Sequence, residues 1–410
     1  MTYDVIIIGG GLTGLQMALS LGSYDLRVAV VDKAPLSDVT NADFDGRTCA
    51  ISYASANLMK KTGVWEHLIA HASPMYNIDI EDGDIVRGKS PFSVHFDCDI
   101  VGGEPLGYIV ENNITRSTQY TVLSKMKNVD YFAEKSIKNI HRDDKGVQVF
   151  LNEGIELKAK LIVGCDGRNS QVRKNANIDT VGWKYDQMGI VCTIDIERQH
   201  KGLAVELFLP SGPFALLPMT DNRMSVVWSE KSHIAKDLLG VSEQDFLYHL
   251  QQRVGKKFGE IKVVEDKRYV YPMSLMHAKT YIGTRLALVG DSAHGMHPIA
   301  GQGLNLGFRD VAALVECVVL AHRRGDDIGK ESVLKEYEQY RYADATALLT
   351  ITDFLTRLFS NNNGFLKAGR VLGLGLVNKV NPLKKLFMMH AMGRSGTHIP
   401  RLLKGKDLLD

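Results

Sequence analysis

The run Tyr3-Asp4-Val5-Ile6-Ile7-Ile8-Gly9-Gly10-Gly11-Leu12-Thr13-Gly14 decides the fold of this chain. Val5 to Ile8 is short, apolar and mostly β-branched, which suits a buried parallel strand. Gly9-x-Gly11-x-x-Gly14 follows at once, and apolar residues then recur at helical spacing from Leu15 to Leu21. A lone motif of this kind is also an ordinary glycine turn. Strand before and helix after make it a dinucleotide grip: one glycine turns tightly, one admits a pyrophosphate to the backbone, and one lets helix and strand pack closely. Leu12 and Thr13 then lie at a helix N-terminus, whose unpaired N–H groups and positive dipole end face the phosphates. A second buried run, Val28 to Val31, ends in Asp32 and Lys33. An acid at Asp32 accepts hydrogen bonds from a ribose and disfavours a 2'-phosphate.

Two later blocks have the same strand-then-loop character. Leu161-Ile162-Val163-Gly164 runs into Cys165-Asp166-Gly167-Arg168. Leu286-Ala287-Leu288-Val289-Gly290-Asp291 runs on to His297-Pro298-Ile299-Ala300-Gly301-Gln302-Gly303-Leu304-Asn305. Asp166 and Asp291 stand at strand ends, where a carboxylate can accept hydrogen bonds from a polyol chain. Pro298 stiffens the approach to a long apolar helix expected over residues 304–324, with Gly325 at its end. A helix start aimed at a ring that becomes anionic on reduction would stabilise that charge. The pair of distant blocks therefore indicates a flavin rather than a nicotinamide nucleotide as resident cofactor. No second GxGxxG follows a strand, so a nicotinamide reductant has no domain of its own.

Between residues 183 and 277 the pattern changes to alternating strands, with Thr220-Asp221-Asn222-Arg223 as a hairpin connection. The fold class is α/β. A discontinuous Rossmann-like cofactor domain takes 1–72, 102–182 and 278–330. A mostly antiparallel substrate sheet takes 73–101 and 183–277. A helical region takes 331–410.

The 410 residues are 45% hydrophobic and 23% charged, an ordinary globular composition with room for two or three domains. The first strand leaves no space for a signal peptide, and no run is long and apolar enough to span a bilayer. The five cysteines (Cys49, Cys98, Cys165, Cys192, Cys317) form no CxxC pair and read as reduced thiols of a cytoplasmic protein; no metal-ligand spacing is evident. Net charge is +2, yet residues 354–406 hold ten basic and no acidic residues. Apolar runs alternate with Lys and Arg there, as in a segment that meets an anionic membrane surface. The expected location is cytoplasmic, peripheral on the inner face of the membrane.

Taken together, these blocks resemble the FAD-dependent group A aromatic monooxygenases, the family of 4-hydroxybenzoate hydroxylase, and more narrowly its ubiquinone-biosynthesis hydroxylases. The His297–Asp310 run carries the resemblance along its whole length. Asp45-Gly46-Arg47-Thr48, Glu111-Asn112 with Arg116, Gly212 to Pro218, and Gly396 to Gly405 extend it over essentially the full chain. The resemblance implies that Gly9, Gly11 and Gly14 flank the FAD pyrophosphate and that Asp32 binds the adenosine ribose. Arg47 and Arg116 would reach the phosphates or ribityl chain, Asp291 would hold the ribityl chain, and Gly301 to Asn305 would line the isoalloxazine. Arg168 would support the cofactor and a nicotinamide nucleotide. Asp32 departs mildly from the family, where Glu is the more usual acid. The implied reaction is ring hydroxylation of a polyprenyl-phenol through a flavin C4a-hydroperoxide, with O2 as co-substrate and NAD(P)H or another donor as reductant. No protein side chain is assigned to catalysis; His294 and His297 read as structural. The alternatives are a hydroxylase of a soluble phenol, a prenyl-chain reductase, or a non-catalytic flavoprotein scaffold among other quinone-biosynthesis proteins. Nothing in the chain points to nucleic acid.

Overall fold

The computed structural model describes residues 1–41, 43–84, 88–264, 267–297, 301–360, 375, 377–396 and 398–409. A six-stranded sheet runs in the order Ile282–Gly283, Leu286–Leu288, Leu161–Gly164, Val5–Ile8, Val28–Val31 and Val129–Phe132. The last five are parallel. Val5–Ile8, Val28–Val31 and Leu161–Gly164 are buried at every position, as continuous apolar strands covered on both faces must be. The helices Leu12–Gly22 and Gln302–Arg323 pack on each other against this sheet. The second of these begins two residues before Leu304, because Gly301 supplies a left-handed start (φ 59°) from which Gln302 is already helical.

A larger sheet follows the order His294–Gly295, Tyr269–Ala278, Thr180–Ile196, Arg223–Lys231, Gly212–Pro218, Leu203–Leu209, Asn77–Asp84 and Gly88–Asp97. Ile261–Val263 pairs with the end of Thr180–Ile196. Only the Leu203–Leu209/Asn77–Asp84 pair is parallel. Asp221 and Asn222 both take left-handed angles in the Thr220 hairpin, a conformation that Asp and Asn tolerate. Ser73–Met75 lies outside this sheet. It forms the edge of a three-stranded sheet with Gly107–Glu111 and Thr48–Ser52, and Pro74, lacking an N–H, suits an edge.

The large sheet has two dissimilar faces. Ile190, Leu207, Leu216, Val226 and Trp228 enter an outer core with Phe246 and Leu250 of the helix Glu243–Val254. On the opposite face Ala204 and Leu217 meet Ala50, Met75 and Ile109 of the three-stranded sheet. Thr48 Oγ1 also donates to Ser225 Oγ at 3.0 Å. At the far side of that face Phe208 stacks on Phe359, the end of the 29-residue helix Glu331–Phe359. Through Gly301, which lies against Ala50, the start of the Gln302 helix thus adjoins the inner face of the large sheet. Among the described residues no helix is long and apolar enough to cross a membrane.

Candidate active site

The N-terminal grip is built by close approach. A Cβ on Gly14 would sit 1.8 Å from the Gly9 carbonyl oxygen, and Gly9 itself has φ 106°. Gly11 faces open space, with nothing within 4 Å of a Cβ built there. It stands as N-cap of the helix Leu12–Gly22 with no side-chain hydrogen bond to the helix start. The first N–H groups of that helix are thus available to an anion. Asp32 closes the other side: one oxygen accepts from the Gly10 amide and the other from the Ala34 amide at 2.7 Å. Tyr131, on the neighbouring strand, brings a buried hydroxyl with no hydrogen-bond partner to the same spot. Burial and then the Asp32 charge raise its pKa well above the ordinary phenol value. An orphan hydroxyl beside a carboxylate, next to an open glycine at a helix start, fits the ribose–pyrophosphate half of FAD. Lys33 is exposed.

The Asp166 block serves mainly as a brace. Asp166 Oδ2 accepts from the Gln171 and Val172 amides at 2.6 and 3.2 Å, capping the short helix Gln171–Asn175. Its Oδ1 is buried without a partner. Arg168 spans the loop before the Gln302 helix: it donates to Ser274 Oγ at 2.8 Å and the Met296 carbonyl at 3.0 Å, and reaches Asp291 at 3.4 Å. Asp291 is otherwise exposed, with its carboxylate presented outward from the turn Gly290–Ser292.

The two distant sequence blocks meet at Thr13. A Cβ on Gly290 or Gly307 would lie 3.1 and 3.2 Å from Thr13 side-chain atoms. Beneath this contact Asp310 is fully buried and holds three donors or partners: the Gly290 amide at 2.9 Å, His294 Nε2 at 2.6 Å and Arg341 Nε at 2.7 Å. Burial alone would raise the Asp310 carboxyl; His294 and Arg341 overcome it and hold it below the usual carboxylate range.

Gly301, Gln302, Gly303 and Leu304 form the opening turn of the long helix, none fully buried. A Cβ at Gly301 would approach the Ala50 methyl at 3.0 Å. Asn305 has a different task from lining a ring. Its side chain is buried, donates to the Ala50 carbonyl at 2.8 Å, and accepts from the Ser52 amide at 2.9 Å and Ser55 Oγ at 2.8 Å. It ties the helix start to the three-stranded sheet. Arg47 is half exposed and paired with Asp45, and Arg116 donates to the Asp38 carbonyl while its Nε is buried without a partner. Pro298 lies outside the described residues.

His297 gains in interest from its surroundings. It is buried at 1% exposure, neither ring nitrogen has a partner, and the ring stands edge-on to Tyr185 at 5.3 Å. Burial and the nearby Arg168 push it down to about 4, so it is neutral at physiological pH. Tyr131 has no assignment from the motifs, and His297, read from the sequence as structural, is buried with both ring nitrogens unpartnered. An aromatic on the strand beside that of the ribose acid and a histidine next to Pro298 in sequence are the signals the sequence gives for them.

Residues 2–352 match the family model described as FAD binding domain. The chain is 42% identical over 407 residues to the ubiquinone hydroxylase UbiL of Rhodospirillum rubrum, covering 99% of this chain and 93% of that protein. It is 32% identical to the 3-demethoxyubiquinol 3-hydroxylase of Escherichia coli, over 95% of this chain and 98% of that one. Among solved structures, the p-nitrophenol 4-monooxygenase PnpA of Pseudomonas putida superposes with a TM-score of 0.78 at 19% identity, covering 97% of this chain and all of that one. That likeness is one of fold.

Proposed function

The chain belongs to the ubiquinone-biosynthesis hydroxylase family of FAD-dependent aromatic monooxygenases, and from that premise we propose that it hydroxylates the ring of a polyprenyl-phenol. The observation that carries this reading is the meeting of the two distant blocks at Thr13, where Gly290 and Gly307 pack on the start of the first helix and Gly301 lies against Ala50 on the inner side of the large sheet. FAD, when bound there, supplies oxygen activation and the transfer of one oxygen atom, with NAD(P)H or another donor as reductant.

The chain's own residues bind, orient and exclude water. Gly11, Leu12 and Thr13 present the helix start to the pyrophosphate, and Gly9 and Gly14 keep that turn tight. Asp32 would accept from the adenosine ribose and Asp291 from the ribityl chain, and Arg47 and Arg116 would reach the phosphates or the ribityl chain. Gly301 to Leu304 set the positive end of a 22-residue helix toward the ring edge that gains negative charge. Ala50, Met75, Ile109, Ala204 and Leu217 form an apolar cluster where the substrate cleft would open beside Gly301, and it would keep water from the reacting centre. Asp166 and Arg168 hold the loops that carry these groups.

The basic C-terminal region supports docking on anionic lipid. In the helix Asn381–Ala391, Met388 packs into a core with Val94, Phe96 and Met392, while Leu386 and Phe387 are exposed at 59% and 49%. Lys379 and Lys385 are exposed beside them. Apolar side chains flanked by lysines suit an interfacial contact, and a polyprenyl substrate resides in membrane. Much of the basic stretch, 361–374 and 376, lies outside the described residues.

The deciding experiment incubates the FAD-loaded protein with NAD(P)H, labelled O2 and a prenylated phenol. One labelled oxygen in the ring is the expected product. Saturation of the prenyl chain without oxygen incorporation, or bound FAD with no turnover of any phenol, would overturn the reading.

A further inference from the structure

Glu206 lies on the strand Leu203–Leu209, whose side chains alternate between the two faces of the large sheet. Val205, Leu207 and Leu209 enter the outer core with Trp228. Ala204 and Phe208 take the inner face, one against Ala50 and Ile109, the other stacked on Phe359. Glu206 is between them on that inner face, midway between the cofactor-side sheet and the end of the long helix. Ala50, which packs against Ala204 two residues along the same strand face, is itself in contact range of Gly301.

The row to which Glu206 belongs is apolar. Ala215 and Ile80 are its partners in register, and Val227 follows beyond Ala215. No hydrogen bond or ion pair among the described residues reaches the carboxyl, and desolvation alone pushes it up to about 8. The adjoining elements offer little compensation. Asp79 and Glu81 point to the opposite face, where Lys257 binds both and His95 also holds Asp79. Asp82 shares the inner face, in register with Phe208 rather than with Glu206. Gly212–Pro218 carries no titratable side chain, and on the long helix Asp353 is held by Tyr185 and Arg357. A lone carboxyl in an apolar wall is costly unless something completes its hydrogen bonds.

We propose that Glu206 is a substrate-contacting residue: its carboxyl hydrogen-bonds the ring hydroxyl of the phenol, orients the ring in the cleft and favours a free phenol over its ether. The assignment rests on the ring-hydroxylase reading above. A neutral carboxyl donates and accepts, so it binds phenol and ether alike. A carboxylate only accepts, so the phenol still donates to it whereas the ether cannot. Selectivity for phenol over ether should therefore grow as pH rises through the titration of Glu206.

The test uses FAD-loaded protein titrated with 2-prenylphenol and with its methyl ether, following the change in flavin absorbance, at pH 6.5 and pH 9. Binding is read whether or not turnover occurs, so failure here is distinct from failure of the oxygen-incorporation assay. In the wild type the ratio of ether Kd to phenol Kd should rise about 10-fold between the two pH values, the worth of one hydrogen bond. In Glu206→Gln, close in shape, the ratio should be independent of pH with phenol affinity kept within about 3-fold. In Glu206→Leu at pH 9 phenol should bind about 10-fold more weakly than to wild type, at the level of the ether. A ratio that responds to pH equally in Glu206→Gln, a ratio that falls with pH, equal weakening of both probes in Glu206→Leu at pH 9, or a wild type whose flavin absorbance responds to neither probe would each overturn the proposal.

Discussion

His294 Nε2 and Asp310 Oδ2 lie 2.6 Å apart, both side chains sealed from solvent, and the Gly290 amide ends on the same carboxylate oxygen. One buried acid therefore fixes the turn that carries Asp291. Arg341 completes the group from the long helix and links onward to Asp344, which Arg309 also reaches. Asp310→Asn removes the buried carboxylate that His294 and Arg341 share and leaves Arg341 with Asp344 alone. It should cost about 3–5 kcal/mol of stability, as breaking a buried pair does. It should also lower the FAD retained after gel filtration. Denaturant unfolding with and without added FAD measures both.

Two glycine variants should behave oppositely. Gly14→Ala puts a methyl inside the Gly9 carbonyl, so the strand–helix turn must open and folded yield should collapse. Gly11→Ala has open space and an ordinary φ of −76°, so the protein should fold with wild-type unfolding behaviour. Its methyl instead occupies the phosphate approach, and FAD affinity should fall at least about 10-fold. Fluorescence titration of the apo-protein with FAD separates the two.

Acid sensitivity should begin well above the carboxylate range. His277 and His297 are both pushed down to about 4, burial being the main cause, and His390 is lowered as well. As pH falls below about 6.5 the unfolded chain takes up protons that these folded imidazoles refuse, so stability declines from there toward pH 4. Asp310 acts in the same direction only lower: its carboxyl is depressed, so its contribution persists above the unfolded value near 4 and is lost as pH falls through the folded one. His297→Phe keeps a ring against Tyr185 and should recover up to roughly 3 kcal/mol of the loss at pH 4. A slope of stability against pH identical to wild type would exclude His297 as a source.

Lipid docking should depend on some lysines of the C-terminal helix and not others. Lys384 is buried, its ammonium donating to Asn378 at 2.9 Å, so it serves the fold. Lys379→Gln with Lys385→Gln should weaken binding to anionic vesicles roughly 30-fold at low salt, at about 1 kcal/mol per lysine. Lys384→Gln should lower thermal stability instead. Unchanged co-sedimentation of the double variant would exclude Lys379 and Lys385 as the lipid contact.

The strand, glycine turn, helix and acid of residues 5–32 are legible because each signal is local and adjacent in sequence. The start of the Gln302 helix is legible to within two residues, its exact position depending on one backbone angle at Gly301. Asn305 illustrates what is not legible: its motif position suggests a ligand contact, yet its hydrogen bonds go to Ser52 and Ser55, some 250 residues away in the chain. The same holds for Tyr131 and Glu206. Strand parity can be counted along either sequence, but which face meets the cofactor domain is set by tertiary packing. Ser73–Met75 escapes for a related reason, since an edge strand of three residues carries no period to detect.

The Gln302 helix is held from its far side by the last residues of the chain. Arg309 donates to the His390 carbonyl at 3.0 Å, Glu316 accepts from the Arg401 amide at 2.7 Å, and Asn57 donates to the Leu403 carbonyl at 3.2 Å. The consequence is one of timing. During synthesis the first βαβ unit and the Leu161 strand emerge early, but the cofactor cradle lacks its helix until residue 323 and its outer clamp until residue 403 has left the ribosome. Securing of the flavin cradle is thereby deferred until residue 403 has emerged, and a nascent chain stalled before that point would lack the outer clamp.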